Sequence, residues 1–291
     1  MKILTFFNEK GGVGKSSFTM MYASWLKYVH EVKVGVADFN LRLNNYRRSE
    51  VLFREMYIKK NPGTDVKPFS MDNVWPIVSV TERDIINLRR ENKLPYGVWL
   101  NDLIMDGELA DMDVVLCDFP GSLSGREFLE VKAKNLLNLV VIPVEREQQT
   151  ITTTFKLNRL LEGYNHCMFL NKAELNLPNI RKKYIEFARE LKRSGWPMLP
   201  DLIVNSTRMG DMDRVDDMRS TFAYPDFSQP QYGNSKDLGI ENLFIDITKE
   251  LDKTADIDKT GTADLSFINN MVKKNDGRQF TGSAYPQYEI K

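Results

Sequence analysis

At 291 residues the chain is long enough for one large α/β domain with a well-buried core, or for two small ones. Lysine plus arginine count 40 and aspartate plus glutamate also count 40, so no overall field drives the protein onto DNA or an anionic membrane, and any such contact must be local. The two cysteines, Cys117 and Cys167, sit inside apolar runs that read as buried strands, which argues against a disulfide framework, excludes a zinc or iron–sulfur cluster built from them alone, and fits a reducing compartment.

In chain order, the first predicted element is a short apolar strand, Ile3 to Phe7, with no basic leader and long apolar stretch ahead of it. No apolar run reaches about 18 residues, so a cytoplasmic protein is expected. The strand ends in Asn8-Glu9 and gives way to a glycine-rich turn, Lys10-Gly11-Gly12-Val13-Gly14-Lys15-Ser16-Ser17, which opens a helix running from Lys15 to about Val29. Strand, glycine turn and helix in that order aim backbone N–H groups and the positive helix end at whatever sits above the turn, and phosphate is the natural occupant. Gly11, Gly12 and Gly14 permit conformations and close approaches that a Cβ would block. Lys15 can reach terminal phosphates as a point charge, and Ser16 can ligate magnesium. The ordinary phosphate-loop pattern wants glycine where Glu9 stands, so the match is to the deviant form, Lys-Gly-Gly-x-x-Lys-Ser/Thr, which adds Lys10. A dinucleotide fingerprint fails here, because Lys15 takes a small residue's place and Ser17 that of the third glycine.

The next strand, Val32 to Ala37, runs into Asp38-Phe39-Asn40. Residues 41 to 110 read as an insertion on the same domain, with charged turns such as Lys59-Lys60-Asn61-Pro62-Gly63 and helices near Glu82 to Glu91 and Val98 to Leu109. Strands follow at Val114 to Cys117, Leu139 to Ile142, His166 to Leu170 and Leu202 to Val204. Helical stretches at Arg126 to Leu137, Thr150 to Leu161 and Ile180 to Arg193 separate them. Such alternation implies parallel βαβ units, hence an α/β fold with a doubly wound, mostly parallel sheet. A last helix, Asn242 to Leu251, closes a domain assigned to residues 1 to 252. Residues 253 to 291 form a polar, loosely ordered tail.

At this point the sequence resembles the ParA/MinD group of deviant phosphate-loop NTPases, in motif order over roughly residues 1 to 250. The stretch Asp113-Val114-Val115-Leu116-Cys117-Asp118-Phe119-Pro120-Gly121 is similar to the family's second nucleotide motif, and the resemblance implies that Asp118 holds a magnesium-bound water. Leu139-Val140-Val141-Ile142-Pro143-Val144 resembles the next family strand and its proline. Phe169-Leu170-Asn171-Lys172 looks like the strand end whose asparagine recognises adenine, and Asn205 to Arg208 looks like the last strand end near the nucleotide. The narrower likeness of Asp118-Phe119-Pro120-Gly121 and of Arg219-Ser220-Thr221-Phe222-Ala223-Tyr224-Pro225 is to ParA-like proteins of conjugative transposons.

The resemblance implies ATP and magnesium as cofactors, weak ATPase activity, and a nucleotide-dependent homodimer in which Lys10 reaches the partner's phosphates. A stimulating partner protein and service to a mobile DNA element are implied with it. Asp38 falls on the first of two acids that many relatives carry after the second strand, near magnesium. The second, which positions the attacking water, is Asn40 here, so slow hydrolysis is expected, and a nucleotide-binding scaffold or regulator with little turnover is the alternative. Arg181-Lys182-Lys183 and Lys192-Arg193 could serve the nonspecific DNA binding common in the family, but Glu186 and Glu190 interrupt the stripe and favour a solvated face. Glu241, Asp246, Glu250 and Asp252 argue against a membrane-binding C-terminal helix. His30 and His166 lack ligand-like neighbours, so neither is assigned a metal.

Overall fold

A computed structural model describes residues 1–40, 75–79, 95–121, 136–173, 178–204 and 240–255, with a few single positions between them. Among the described residues seven strands form one sheet: β1 (Lys2–Phe6), β2 (Val34–Asp38), β3 (Ile77–Ser79), β4 (Val114–Asp118), β5 (Leu139–Val144), β6 (His166–Ala173) and β7 (Met198–Val204). Their order is β3-β2-β4-β1-β5-β6-β7, and every ladder is parallel. The doubly wound α/β expectation is therefore met, with a sheet that is parallel throughout the described residues.

Parallel strands must be covered on both faces, which is why they read as unbroken apolar runs rather than as alternating ones. Successive side chains along β1 go to opposite cores: Ile3 joins one buried cluster and Leu4 the other. On the first face the strands meet α2 (Pro95–Met105), α3 (Gln148–Leu160) and α4 (Pro178–Arg193) through Leu100, Leu157 and Leu191. The second face is covered by α1 (Lys15–Ser24) and α5 (Ile240–Asp252), whose Phe18, Tyr22, Phe244 and Ile247 are buried together. Tyr22 and Thr248 share a buried hydroxyl hydrogen bond of 2.7 Å, so the two helices are joined by a polar contact within an apolar layer. Close approach is built in at Gly35 of β2, where a Cβ would lie 2.6 Å from a methyl carbon of Leu109.

Predicted strands and helices agree with the observed ones to within a few residues, with two informative differences. The first helix does extend to Val29, but its last five residues, Trp25–Val29, form a π-helical turn. Strand β3 was not foreseen. It lies inside the stretch read as an insertion, and pairs with β2 through Val36↔Ile77, Ala37↔Val78 and Asp38↔Ser79. Three residues are too few to show a period, so only pairing reveals the strand. Helix α2, from the same stretch, packs Tyr96 and Leu100 into the first core. Of the predicted helices at Glu82 to Glu91 and Arg126 to Leu137 only single positions are described, helical at 86, 87, 128 and 131 and not helical at 136 and 137; the rest of both, and the tail beyond Ala255, lie outside the described residues.

The C-terminal end of α5 is tied to the start of the sheet. Lys2 is buried and its ammonium donates to the Thr254 carbonyl and hydroxyl, while Asn138 accepts from the Ile3 amide at 2.6 Å and donates to the Ala255 carbonyl at 2.6 Å. These contacts sit at the end of the sheet opposite the phosphate loop, and leave the carboxyl ends of β1, β2 and β4 for the site.

Candidate functional site

In an open parallel sheet, ligands bind beyond the carboxyl ends of the strands where the winding reverses. Here that place is the junction of β1 with β4 and β5, and residues 8–16 fill it. Gly14 caps α1 in the left-handed region at φ 85°, and Gly12 is left-handed at φ 75°. Among the described residues no side chain caps α1, so its first N–H groups are left to the space above the loop. Val13 is buried and anchors the turn, Gly11 and Gly12 are exposed, and Ser17 is half-buried on the first turn of the helix. Lys15 is buried under the loop and its Nζ donates to the Lys10 carbonyl at 2.8 Å.

Three strand ends bring a set of oxygens together beside Ser16. Asp38 and Asp118 are register partners on adjacent strands, and both are fully buried. Ser16 donates to Asp118 Oδ2 at 2.8 Å, and the Asn40 amide nitrogen donates to Ser16 Oγ at 3.2 Å and to Asp118 Oδ2 at 3.3 Å. Asp38 accepts from the Asn40 backbone N–H at 2.9 Å and from the Ser79 hydroxyl at 3.0 Å. Burial, reinforced by the Asp38 charge, pushes the Asp118 carboxyl up to about 7, against hydrogen bonds from Ser16 and Asn40 and the charge of Lys15. Asp118 Oδ1 is buried and has no hydrogen-bond partner among the described residues. An orphaned carboxylate oxygen, a second carboxylate and a hydroxyl are the donor set that a hard divalent cation takes, so these residues fit magnesium. Gly121 closes the far wall, where a Cβ would lie 3.1 Å from Lys15 Nζ.

Lys10 is turned onto its own chain. Its ammonium meets Glu145 at 3.0 Å and also hydrogen-bonds to Glu147. Partial burial pulls the Lys10 pKa down, but the hydrogen bonds it donates to Glu147 and Glu145, with the attraction of their charges, outweigh burial and raise the value overall. Asn171 donates one of its two amide N–H groups to the Val13 carbonyl at 3.0 Å, so the amide that the resemblance aims at adenine also braces the loop. Its neighbour Lys172, left-handed at φ 52°, reaches the Gly12 carbonyl at 2.6 Å and Glu145 at 2.7 Å. The structure thus gathers Lys10, Gly11, Gly12, Val13, Gly14, Lys15, Ser16, Ser17, Asp38, Asn40, Asp118 and Asn171 at one sheet end. Asn205 and Arg208 lie outside the described residues.

Several participants were not singled out from the sequence. Asn8 is fully buried; its amide donates to the Pro143 carbonyl at 3.0 Å and to Thr154 at 3.2 Å, and its oxygen accepts from the Lys10 backbone N–H at 3.0 Å. It fixes the start of the loop to β5 and α3. Glu145, Glu147, Lys172 and Ser79 also escaped, since each matters only through a partner more than 40 positions away or across a ladder. The one cue was available at Glu145: an acid directly after an apolar strand, at the sheet end that carries the loop. The basic residues of α4 behave as a solvated face, with Lys182 and Glu186 paired at 3.8 Å and both exposed. No helix among the described residues is long and apolar enough to cross a membrane.

No family model matches the chain. Solved structures match it in fold. The chain is similar to the MinC:MinD cell division complex of Aquifex aeolicus at a TM-score of 0.55 and 14% identity, covering 89% of this chain and 99% of that one. MinD alone from the same organism gives 0.53 and 16%, with 89% and 100% covered, and the ATP complex of a Cyanothece McdA variant gives 0.55 and 13%, with 89% and 99% covered. This chain has the α/β phosphate-loop fold of the ParA/MinD type.

Proposed function

We propose that the chain is an ATP- and magnesium-dependent dimerising ATPase of the ParA type, a nucleotide switch serving the maintenance, partition or transfer of a mobile DNA element. The observation that carries this reading is the convergence of Lys15, Ser16, Asp38 and Asp118 on one uncapped helix start, with a buried carboxylate oxygen left unpartnered. Magnesium bound by Ser16, Asp118 and Asp38 would supply positive charge at the terminal phosphates. Lys15 and the loop amides bind the phosphate chain, and Asn8 and Asn171 hold the loop in shape. The ATP in the McdA complex and the MinC bound to MinD belong to those proteins, and they make a nucleotide and a partner protein the first candidates to try here.

Dimerisation is tested at Lys10. The Lys10→Ala variant is expected to keep ATP affinity within about threefold and to lose ATP-dependent dimerisation in light scattering, because its ammonium acts across the interface. A variant that dimerises like the parent would remove the lysine from that role.

A second reading, a nucleotide-binding scaffold with little turnover, is favoured by one observation. The Asn40 amide is engaged with Ser16 and Asp118, and a neutral amide is not a useful base at pH 7. Asn40→Asp is therefore expected to raise steady-state phosphate release on the order of 10-fold, about 1.4 kcal/mol of barrier, without tightening ATP binding. Equal rates in the parent, Asn40→Asp and Asn40→Ala would place the water-positioning group elsewhere. A parent that binds and dimerises on ATP with no measurable turnover would establish the scaffold instead.

A further inference from the structure

Four charged side chains form a chain across the mouth of the phosphate loop, in the order Lys172, Glu145, Lys10 and Glu147. Glu145 is at its centre, with a side chain only 6% exposed, and each of its oxygens holds a different lysine: Oε1 meets Lys172 at 2.7 Å and Oε2 meets Lys10 at 3.0 Å. The outer acid, Glu147, is 63% exposed. An exposed ion pair contributes little, whereas a buried carboxylate that loses its counter-charge is strongly unfavourable. The hold on Lys10 therefore resides in Glu145.

Lys10 can leave this carboxylate for a phosphate only if another cation stays behind. Lys172 is that cation. It is placed at the end of β6 in a left-handed backbone conformation that a lysine rarely adopts, and its ammonium is also fixed by the Gly12 carbonyl at 2.6 Å. We propose that Glu145 and Lys172 are positioning residues that make Lys10 exchangeable: Lys172 keeps the buried carboxylate neutralised while Lys10 moves from Glu145 to phosphate. The inference rests on the phosphate-binding role proposed for Lys10 above, and deepens it by naming what the lysine leaves and why leaving is tolerated. Nothing covalent changes; one ion pair of Glu145 is released and the other is kept.

The test uses the full chain with three variants: Lys172→Met, Glu145→Gln and the two combined. Two quantities are read: the labelling rate of Lys10 by a small amine reagent, followed by peptide mass spectrometry, and the ATP concentration at half-maximal dimerisation. In Lys172→Met, Lys10 becomes the sole counter-ion of a buried acid among the described residues. Its labelling is expected to fall, and the dimerisation midpoint to rise by about tenfold or more, beyond any change in ATP affinity measured by calorimetry. Glu145→Gln should raise labelling, and the double variant should restore the dimerisation midpoint to within about threefold of the parent.

Rescue is the decisive outcome. If Lys172 merely braced the Gly12 carbonyl, the single change would weaken ATP binding and removing the Glu145 charge would not repair it. Failure of the double variant to recover therefore overturns the proposal. Should the parent not dimerise on ATP at all, the dimerisation reading falls, and labelling alone decides the exchange. Unchanged Lys10 labelling when magnesium and ATP are added to the parent, or equal labelling in the parent and in Lys172→Met, would overturn it.

Discussion

Lys15→Ala is expected to weaken binding of magnesium and ATP by about 100-fold, corresponding to about 3 kcal/mol, while the protein remains folded. The lysine is buried beneath the glycine turn with its ammonium on the Lys10 carbonyl. The terminal phosphates of a nucleotide seated on the loop carry the largest charge density in the ligand, and Lys15 is the cation enclosed by the loop itself. Backbone N–H groups and the helix end can attract an anion, but they bring partial charges, and their pull falls off within a turn. Removing the ammonium also frees the Lys10 carbonyl, which relaxes the loop. Calorimetry gives the affinity, and a thermal melt of the nucleotide-free variant shows whether the fold survives. An affinity within a factor of two or three of the parent would end the assignment of residues 10–17 as the phosphate site.

Asp118→Asn should have opposite effects on stability and on ligand binding. In the protein without nucleotide, burial holds the Asp118 carboxyl at about 7, above the ordinary 3.8. A group whose pKa is raised by folding contributes stability that is fully present below its unfolded pKa and is lost as pH rises through the folded value. The parent should accordingly lose stability between pH 4 and pH 8 through this group. The gap between the folded and the ordinary value sets the upper limit of that loss at roughly 4 kcal/mol.

An asparagine keeps the shape and cannot ionise, so the nucleotide-free variant is expected to melt several degrees above the parent at pH 8 and no higher than it near pH 4. The same change removes an anionic ligand from the proposed cation site, so added magnesium and ATP should raise the melting temperature of the parent and hardly that of the variant. Coincident pH profiles of the two proteins would show that Asp118 is not held protonated by its surroundings.

Much of the fold is legible from the sequence because its cause is local. Unbroken, β-branched apolar runs of strand length at Val114–Cys117 or Leu139–Ile142 read as strands buried on both faces, and helical periods between them imply parallel crossovers. The phosphate loop is legible for the same reason: the turn, its glycines, Lys15 and Ser16 are contiguous, and the flanking strand and helix point them. Asp38 and Asp118 could be placed at strand ends, though not beside one another until β2 and β4 were known to be neighbours.

What the tertiary structure alone decided is which distant side chains meet at that loop. Glu145 is 135 residues from Lys10, and no periodicity links an acid after β5 to a lysine after β1. Their meeting depends on β5 lying next to β1 in a parallel sheet, with both carboxyl ends at the same edge. Ser79 reaches Asp38 only because a three-residue strand pairs with β2, and such a strand carries no pattern of its own. Asn171 was legible as a strand-end amide, yet that one of its N–H groups reaches the Val13 carbonyl depends on how β6 lies beside the loop. Residue types and order along the chain determined the glycine turn with its flanking strand and helix; sheet order, through its long-range pairings, determined which charged side chains surround that turn.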